Sequence, residues 1–410
     1  MSAAYQEVGR RLSRPGARVA VSIAVLVAAA LGLPAEDGSP GPMATSCGVL
    51  PAAGGSPAAA GLPTFPLGQY PVKLPSVSLL GARNDLPNPY HPGVSWGNLP
   101  AGRKWGSTAS IAFASDGTLW VADRCGVFGA ELTTCGDRPD VNPIFQFDTS
   151  GKLLRSFGAG MFASPHKMSV DKDGNLWLAD AAANQVFKLS QDGRILLTLG
   201  KKGVAGTGLG EFDAPTDVAI APNGDIFIGD GHTGGGTALG NARIMKFDKN
   251  GKFLMTWGRK GTGPGEFDVI HTLTFDSQGR LFVGDRQNNR IQIFDQDGKF
   301  IAQWFQFGRP SGIYVDKNDV IYVADSESRD GRTNTGQFWL PQTGYGYNLG
   351  AQRGIRIGNA RDGSVKYFIP DPCPYPYPAN SSMAEGLTVD SEGNLYGAEY
   401  LQDIKKYIRK

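Results

Sequence analysis

The stretch ASPHKMSVDKDGNLWLADAAANQVFKLSQDGRILLTLG, residues Ala163 to Gly200, decides the fold. It contains four short apolar runs: Met168–Val170, Leu176–Ala179, Val186–Leu189 and Ile195–Leu199. The segment DKDG separates the first two runs and QDG separates the last two, and such segments are typical of tight hairpin turns. Four strands joined by hairpins form one antiparallel sheet of about forty residues, which is the length of a propeller blade.

The same pattern is repeated along the rest of the chain, which gives six blades in all. The repeats are Trp105–Gly158, Ala163–Gly200, Ala214–Gly258, Asp268–Gly308, a fifth from Arg309 and a sixth from near Ser382. The sixth repeat stops one strand short, and an open ring would leave exposed sheet edges. We therefore expect an N-terminal segment such as Tyr70–Leu74 to supply the missing strand. The sequence predicts an all-β, six-bladed β-propeller of four-stranded blades over residues 66–410.

The N-terminal region has a different composition from the repeats. An apolar run, Val19–Pro34, follows four arginines, Arg10, Arg11, Arg14 and Arg18. This order is typical of an export signal, and the run is short for a transmembrane helix, which needs about twenty apolar residues. We predict that residues 1–35 are a signal peptide or an N-terminal membrane anchor, that residues 36–65 are a Gly/Pro/Ala-rich linker, and that the protein is exported.

The net charge and the cysteines limit which partners and which kinds of metal site the sequence predicts. The formal net charge is +2 over 410 residues, and no long basic run follows the N-terminus, so nucleic-acid binding is not expected. We also expect a monomer. Four cysteines in an exported chain are compatible with disulfides, and a Cys125–Cys135 bridge would close one loop locally. Cys47 and Cys373 could pair with each other or remain free, and the absence of C-x-x-C argues against a zinc–thiolate cluster.

One position of the repeat gathers candidate metal ligands. It lies eight residues before the central turn glycine in five blades, with blade five aligned on Asp316. This is the start of the first strand, which in propellers is nearest the central channel. Blades two, four and six carry His166, His271 and Glu385 there, whereas the other blades carry small residues, Ala109, Thr216 and Ser311. Alternate blades lie about 120° apart, and two imidazoles with one carboxylate form a catalytic zinc set. The alternatives are that the histidines satisfy hydrogen bonds in the channel wall and that Glu385 pairs with a channel arginine.

A second position of the repeat lies at the mouth of the channel, just after the second strand. Each second strand ends in Asp or Glu, and we expect these acids to accept hydrogen bonds from turn amides. The next residue is Arg124 in blade one and Arg286 in blade four, and His232 follows Asp230-Gly231 in blade three. The two arginines would bind a carboxylate, or else form surface ion pairs with neighbouring acids. His232 is a candidate base near neutral pH.

The repeats resemble the NHL family, whose units read much like DxxGNLYVAD followed by RIxxFD. Within that group the chain resembles the catalytic domain of peptidyl-α-hydroxyglycine α-amidating lyase. The motifs that carry this resemblance are Ser164-Pro165-His166, Ile270-His271, Asp230-Gly231 and Asp285-Arg286.

The resemblance implies roles for the candidate residues. Three histidines hold zinc in that family, and two of them match His166 and His271, while Glu385 stands at the third position. The catalytic tyrosine falls at His232 and an active-site arginine at Arg124. A calcium-binding aspartate falls at Gly386, so the sequence gives little support for calcium.

The family's reaction removes a proton from a carbinolamine hydroxyl and expels an amide, leaving glyoxylate, with zinc acting as a Lewis acid. The resemblance implies a metal-dependent enzyme that acts on a small-molecule or peptide-derived substrate carrying a carboxylate. The alternative is a non-catalytic NHL propeller that binds a protein or ligand on its insertions, which are Cys125–Val141, His232–Asn241 and Ser326–Gly354.

Overall fold

The computed structural model describes residues 76–126, 134–232, 240–328, 348–371, 384–399 and 403–410. The predicted signal or anchor, the predicted linker, Tyr70–Leu74, Cys47 and Cys373 lie outside the described residues. All of the described residues belong to one unit, residues 54–410. Within the described ranges, no helix is long and apolar enough to cross a membrane.

The strands form six four-stranded antiparallel sheets, as the repeats predict. One short strand precedes the repeats and is β1 (Val94–Ser95). Blade one contains β2 (Thr108–Phe113), β3 (Leu119–Asp123), β4 (Ile144–Phe147) and β5 (Leu153–Phe157). Blade two contains β6 (Pro165–Val170), β7 (Leu176–Asp180), β8 (Gln185–Leu189) and β9 (Ile195–Gly200). Blade three contains β10 (Pro215–Ile220), β11 (Ile226–Asp230), β12 (Arg243–Phe247) and β13 (Phe253–Trp257).

The second half of the chain repeats this arrangement. Blade four contains β14 (Ile270–Phe275), β15 (Leu281–Asp285), β16 (Arg290–Phe294) and β17 (Phe300–Trp304). Blade five contains β18 (Gly312–Val315), β19 (Val320–Asp325), β20 (Gly354–Asn359) and β21 (Val365–Pro370). Blade six contains β22 (Ala384–Val389), β23 (Leu395–Glu399) and β24 (Asp403–Tyr407), with β1 as its fourth strand.

The first strands of neighbouring blades contact one another in a closed ring. Strand β2 contacts β6 and β22, β10 contacts β6 and β14, and β18 contacts β14 and β22. These six strands therefore surround the central channel, and the start of each one lies at the level of the candidate metal ligands. The fold class that the sequence predicts, a six-bladed all-β propeller, is confirmed.

Apolar side chains fill the space between neighbouring blades. The described residues form six buried clusters, and each cluster combines residues from two adjacent blades. One cluster packs Trp177 of blade two against Val218 and Ile228 of blade three. Another packs Phe145 of blade one against Tyr396 of blade six. Because each buried side chain of this kind contributes about 1.5–3 kcal/mol, the closure between the last and first blades is stabilised like any other interface.

An N-terminal strand completes the sixth blade, but it is not the segment suggested by the sequence. Strand β1 pairs antiparallel with β24, with Val94 opposite Lys406 and Ser95 opposite Lys405. Tyr90 forms a further bridge with Arg409. The closing strand is thus Val94–Ser95, which lies later in the chain than the proposed segment. It is held beside β24 by the Tyr90–Arg409 bridge and by the Ser95 hydroxyl, which donates to the Asp403 carboxylate.

Candidate metal centre

The acidic residues that end the second strands hold the turns at the channel mouth, as the sequence predicts. Asp180 accepts hydrogen bonds from the backbone amides of Ala163 and Ser164 at 2.6 and 2.8 Å, which fixes the segment that leads into His166. Asp285 accepts from the amide of Asp268 at 2.7 Å, just before His271. Burial raises the pKa of Asp285 to about 6 against the hydrogen bonds that lower it. These turns place each first strand relative to its neighbours.

His166 and His271 occupy equivalent places in blades two and four, and both are buried. The Nδ1 atom of His166 lies 2.7 Å from the carbonyl oxygen of Thr216, and Nδ1 of His271 lies 2.7 Å from that of Ser311. A carbonyl oxygen only accepts, so Nδ1 carries the proton in both rings and Nε2 has a lone pair. In the part of the chain that the structure describes, neither Nε2 atom has a hydrogen-bond partner. Metal-ligating histidines have this arrangement.

His232 joins these two histidines, because the turn after β11 brings its side chain back to the channel. Gly231 precedes it with φ of 122°, and a side chain at Gly231 would collide with the carbonyl of Asn241. Ligand atoms of His166, His232 and His271 lie within 4.8 Å of one another. The ring centroids are 4.7 to 5.4 Å apart. This three-histidine group could hold a metal ion.

The surroundings keep all three imidazoles neutral. Burial lowers the pKa of His166, His232 and His271 well below the usual 6.5. The positive charges of Arg124 and Arg286 lower these pKa values further, Arg124 acting most on His166 and Arg286 on the other two. Only the neutral imidazole binds a metal ion, so the trio is in its ligand form near pH 7.

Glu385, the third metal ligand predicted from the sequence, lies beside the three-histidine group. Its Oε1 atom is 3.9 Å from Nε2 of His271. Its carboxylate also pairs with two arginines, at 3.4 Å from Arg124 and 3.8 Å from Arg286. The structure therefore brings every predicted site residue to one place, and it shows the arginine pairing that the sequence left as an alternative role for Glu385.

Two charged residues of this site were missed in the sequence. Glu327 forms ion pairs with Arg286 at 3.2 Å and with Arg309 at 3.1 Å. Arg309 also donates to the carbonyl of Arg286 at 2.8 Å. A signal for Glu327 exists, because it follows Asp325 at the same distance as His232 follows Asp230. Arg286 also lies 3.3 Å from Nε2 of His232. Among the described residues of the mouth, three arginines (Arg124, Arg286 and Arg309) face two glutamates (Glu327 and Glu385), and this excess of positive charge favours an anionic ligand.

Two further predictions concern the disulfide and calcium. Cys125 and Cys135 form the predicted disulfide, in the loop that follows Arg124. Gly386 stands where the resemblance expects a calcium-binding aspartate. A Cβ atom there would lie 2.8 Å from the carbonyl oxygen of Ala109. The residues around Gly386 leave no room for a carboxylate and do not fit a calcium site of that kind.

Comparison with known proteins confirms the resemblance seen in the sequence. A sequence model of the NHL repeat matches residues 307–328. The chain is 41% identical over 147 residues to peptidyl-glycine alpha-amidating monooxygenase A of Xenopus laevis, a match that covers 34% of this chain and 15% of that protein. It is 37% identical over 141 residues to a probable peptidyl-alpha-hydroxyglycine alpha-amidating lyase of Caenorhabditis elegans, covering 33% of this chain and 38% of that protein.

These matches span less than half the length of either relative. Among solved structures, a gluconolactonase of Xanthomonas campestris is 15% identical, with a TM-score of 0.52 over 79% of this chain and 99% of that one. At this identity the likeness extends to the propeller fold alone.

Proposed function

We propose that this chain is an exported, zinc-dependent lyase that cleaves the C–N bond of a carbinolamine bearing a carboxylate, as in a peptidyl-α-hydroxyglycine. The observation that carries the proposal is the three-histidine group, His166, His232 and His271, at a channel mouth lined by arginines. The similarity to amidating lyases supports the reaction class. The arginine-rich start and apolar run within residues 1–35 support export.

The donor set favours zinc. Three neutral imidazoles with one open position are a common catalytic zinc arrangement. The buried Nε2 atoms of His166 and His271 have no hydrogen-bond partner among the described residues, which is costly unless a bound ion uses their lone pairs. A divalent ion at this site would supply Lewis-acid polarisation and lower the pKa of a substrate hydroxyl.

The remaining residues then act on the substrate directly. Arg124 and Arg286 bind its carboxylate, since guanidinium groups match the geometry of that group. Glu385 accepts the hydroxyl proton as the C–N bond breaks and passes that proton to the departing amide nitrogen, which keeps the C–N electron pair, while the hydroxyl-bearing carbon becomes the aldehyde of glyoxylate. In this assignment His232 and Glu385 exchange the roles that the sequence predicts for them.

Metal analysis of single variants tests this assignment. Wild-type protein and the Glu385→Gln variant should each bind one equivalent of zinc, whereas His232→Ala should bind none. His91→Ala provides the control, because His91 is exposed and lies outside the site. If Glu385→Gln loses zinc and His232→Ala keeps it, the ligands are those predicted from the sequence, His166, His271 and Glu385. No zinc in any of the proteins would reject the metal centre.

The reaction itself is tested with a peptidyl-α-hydroxyglycine and an assay for glyoxylate. The zinc-loaded protein should release glyoxylate, a chelator should stop the release, and added zinc should restore it. The Glu385→Gln protein should keep its zinc and lose activity by about 100-fold or more, the usual contribution of a general base. Zinc-loaded wild-type protein that releases no glyoxylate would favour the alternative of a binding platform.

A further inference from the structure

A lysine is buried in the central channel, and the proposed reaction does not use it. Lys167 follows His166 on β6, and 4% of the residue is exposed. Its ammonium group donates to the carbonyl oxygen of Ala109 at 2.9 Å and to that of Glu385. These two residues start the first strands of blades one and six. One ammonium group of blade two therefore joins the first strands of the blades where the ring closes.

The carbonyl oxygens of Ala109 and Glu385 lie where the backbones of neighbouring first strands approach each other closely. A Cβ atom on Gly386 would contact Ala109, and one on Gly312 would collide with the carbonyl of Glu385. The first strands of blades five, six and one are thus packed backbone to backbone at this level. Buried carbonyl oxygens need a donor or a cation, and calcium is a cation that takes such oxygens.

Two carboxylates face the ammonium group of Lys167 inside the channel. Glu385 and Asp217 attract it electrostatically, against repulsion from Arg124 and Arg286. Asp217 is held in turn, because it accepts hydrogen bonds from the backbone amides of Val218 and Leu273 at 2.7 Å each. The lysine and its counter-charges therefore connect the first strands of five blades, which is the kind of cross-link that a bound metal ion makes.

We propose that the Lys167 ammonium group is the resident cation of this channel and stands in for a calcium ion. It holds the carbonyl groups of Ala109 and Glu385 together where the last blade meets the first, and so positions the Glu385 carboxylate beside the histidines. The protein then requires no calcium to fold or to bind zinc. This inference concerns the channel and does not depend on the proposed reaction.

The first test uses the unaltered protein, stripped of divalent ions, reloaded with one equivalent of zinc and unfolded thermally. Its Tm should be the same with and without millimolar CaCl2. A Tm that rises with calcium would show that a separate calcium site exists and would overturn the inference. This readout involves no substrate, so it stands apart from success or failure of the lyase assay.

The second test removes the ammonium group. Lys167→Ala should lower the Tm, and millimolar ethylammonium chloride should restore part of the loss, whereas tetramethylammonium chloride, which has no N–H donor, should not. Access is available, because Lys167, Asp217 and Glu385 line a channel cavity of about 810 Å³. Lys172→Ala is the matched control, since the Lys172 side chain is 75% exposed. A Tm unchanged in Lys167→Ala, or no rescue by ethylammonium, would contradict the proposal. If this variant does not fold, the calcium test remains decisive.

Discussion

The two ends of the first strands differ in how far their residues repeat from blade to blade. At the hairpin end, four blades use the same device: an aspartate accepts the backbone amides two and four residues later, and these aspartates are Asp171, Asp276, Asp316 and Asp390. At the channel mouth the six blades carry five different residue types at the equivalent position, and only histidine occurs twice. Residues that recur from blade to blade build the fold, and buried polar residues that break the recurrence build the site.

The two ends also differ in what their hydrogen bonds connect. The contacts of Asp171 stay within blade two, reaching Asn175 and the indole of Trp177. At the mouth, His166 contacts the backbone carbonyl of Thr216 in blade three, and His271 contacts that of Ser311 in blade five. A change at Asp171 should therefore affect the stability of blade two, whereas a change at the mouth should affect metal binding.

The largest effect is expected for loss of a histidine that lies at the mouth. His166→Ala and His271→Ala should each lower zinc affinity by well over 100-fold, because loss of an outer contact to a metal ligand alone costs about 10–100-fold. Competition with a chromophoric zinc chelator measures this. Asp171→Ala, at the residue that directly follows the strand carrying His166, is the control and should bind zinc normally. Zinc binding that is unchanged in both histidine variants would remove the distinction between the two ends.

The next effect concerns the arginines. Arg286→Gln should weaken binding of the substrate carboxylate by about 10–100-fold, since a hydrogen bond to a charged group contributes about 1.5–3 kcal/mol. The KM of the lyase assay and inhibition by glyoxylate both report it. Arg280→Gln provides the comparison at the hairpin end, where Arg280 pairs with Asp276. Equal changes in KM for the two variants would argue against a carboxylate site at the mouth.

A smaller effect is expected at the hairpin end. Asp171→Ala should lower the free energy of unfolding by about 1–2 kcal/mol, because it leaves a partly buried indole N–H and two turn amides without their acceptor. Asp173→Ala, on the exposed side of the same turn, should change it by less than about 0.5 kcal/mol. Denaturant unfolding of the zinc-free proteins measures both. A loss of several kcal/mol in Asp173→Ala would contradict the role given to Asp171.

The smallest effect is the pH dependence of that contribution. Burial raises the pKa of Asp171, but hydrogen bonds from Asn175 and Trp177 outweigh it, so the folded-state pKa lies below the usual value. The stabilisation is present above the unfolded-state pKa, about 3.9, and is lost as pH falls through the folded-state pKa. The difference in stability between wild type and Asp171→Ala should shrink as the pH is lowered below about 4. A stability difference that grows on acidification would mean that the folded-state pKa of Asp171 lies above its unfolded-state pKa, contrary to this account.

The contrast between the two ends explains which features the sequence could predict. The blades follow from recurring apolar runs and turn residues, and counting back from the turn glycines located His166, His271 and Glu385. Counting could not locate Val94–Ser95, because this two-residue strand has exposed side chains and no pattern.

The remaining site contacts depend on geometry that a linear count does not contain. His232 reaches the other histidines through the positive φ of Gly231, so its distance to them follows from the turn and not from the repeat. Lys167 meets the carbonyl of Glu385 across 218 residues of sequence, through strands that only the closed ring brings together.

The central claim, that three histidines hold one zinc ion at the mouth, is tested most directly by crystallography of the zinc-loaded protein at the zinc absorption edge. We predict one anomalous peak about 2.0–2.1 Å from a ring nitrogen of His166, His232 and His271, with the Glu385 carboxylate outside the coordination shell. A peak ligated by Glu385 in place of His232 would contradict the exchange of roles, and a zinc-saturated crystal without a peak between these histidines would contradict the metal centre itself.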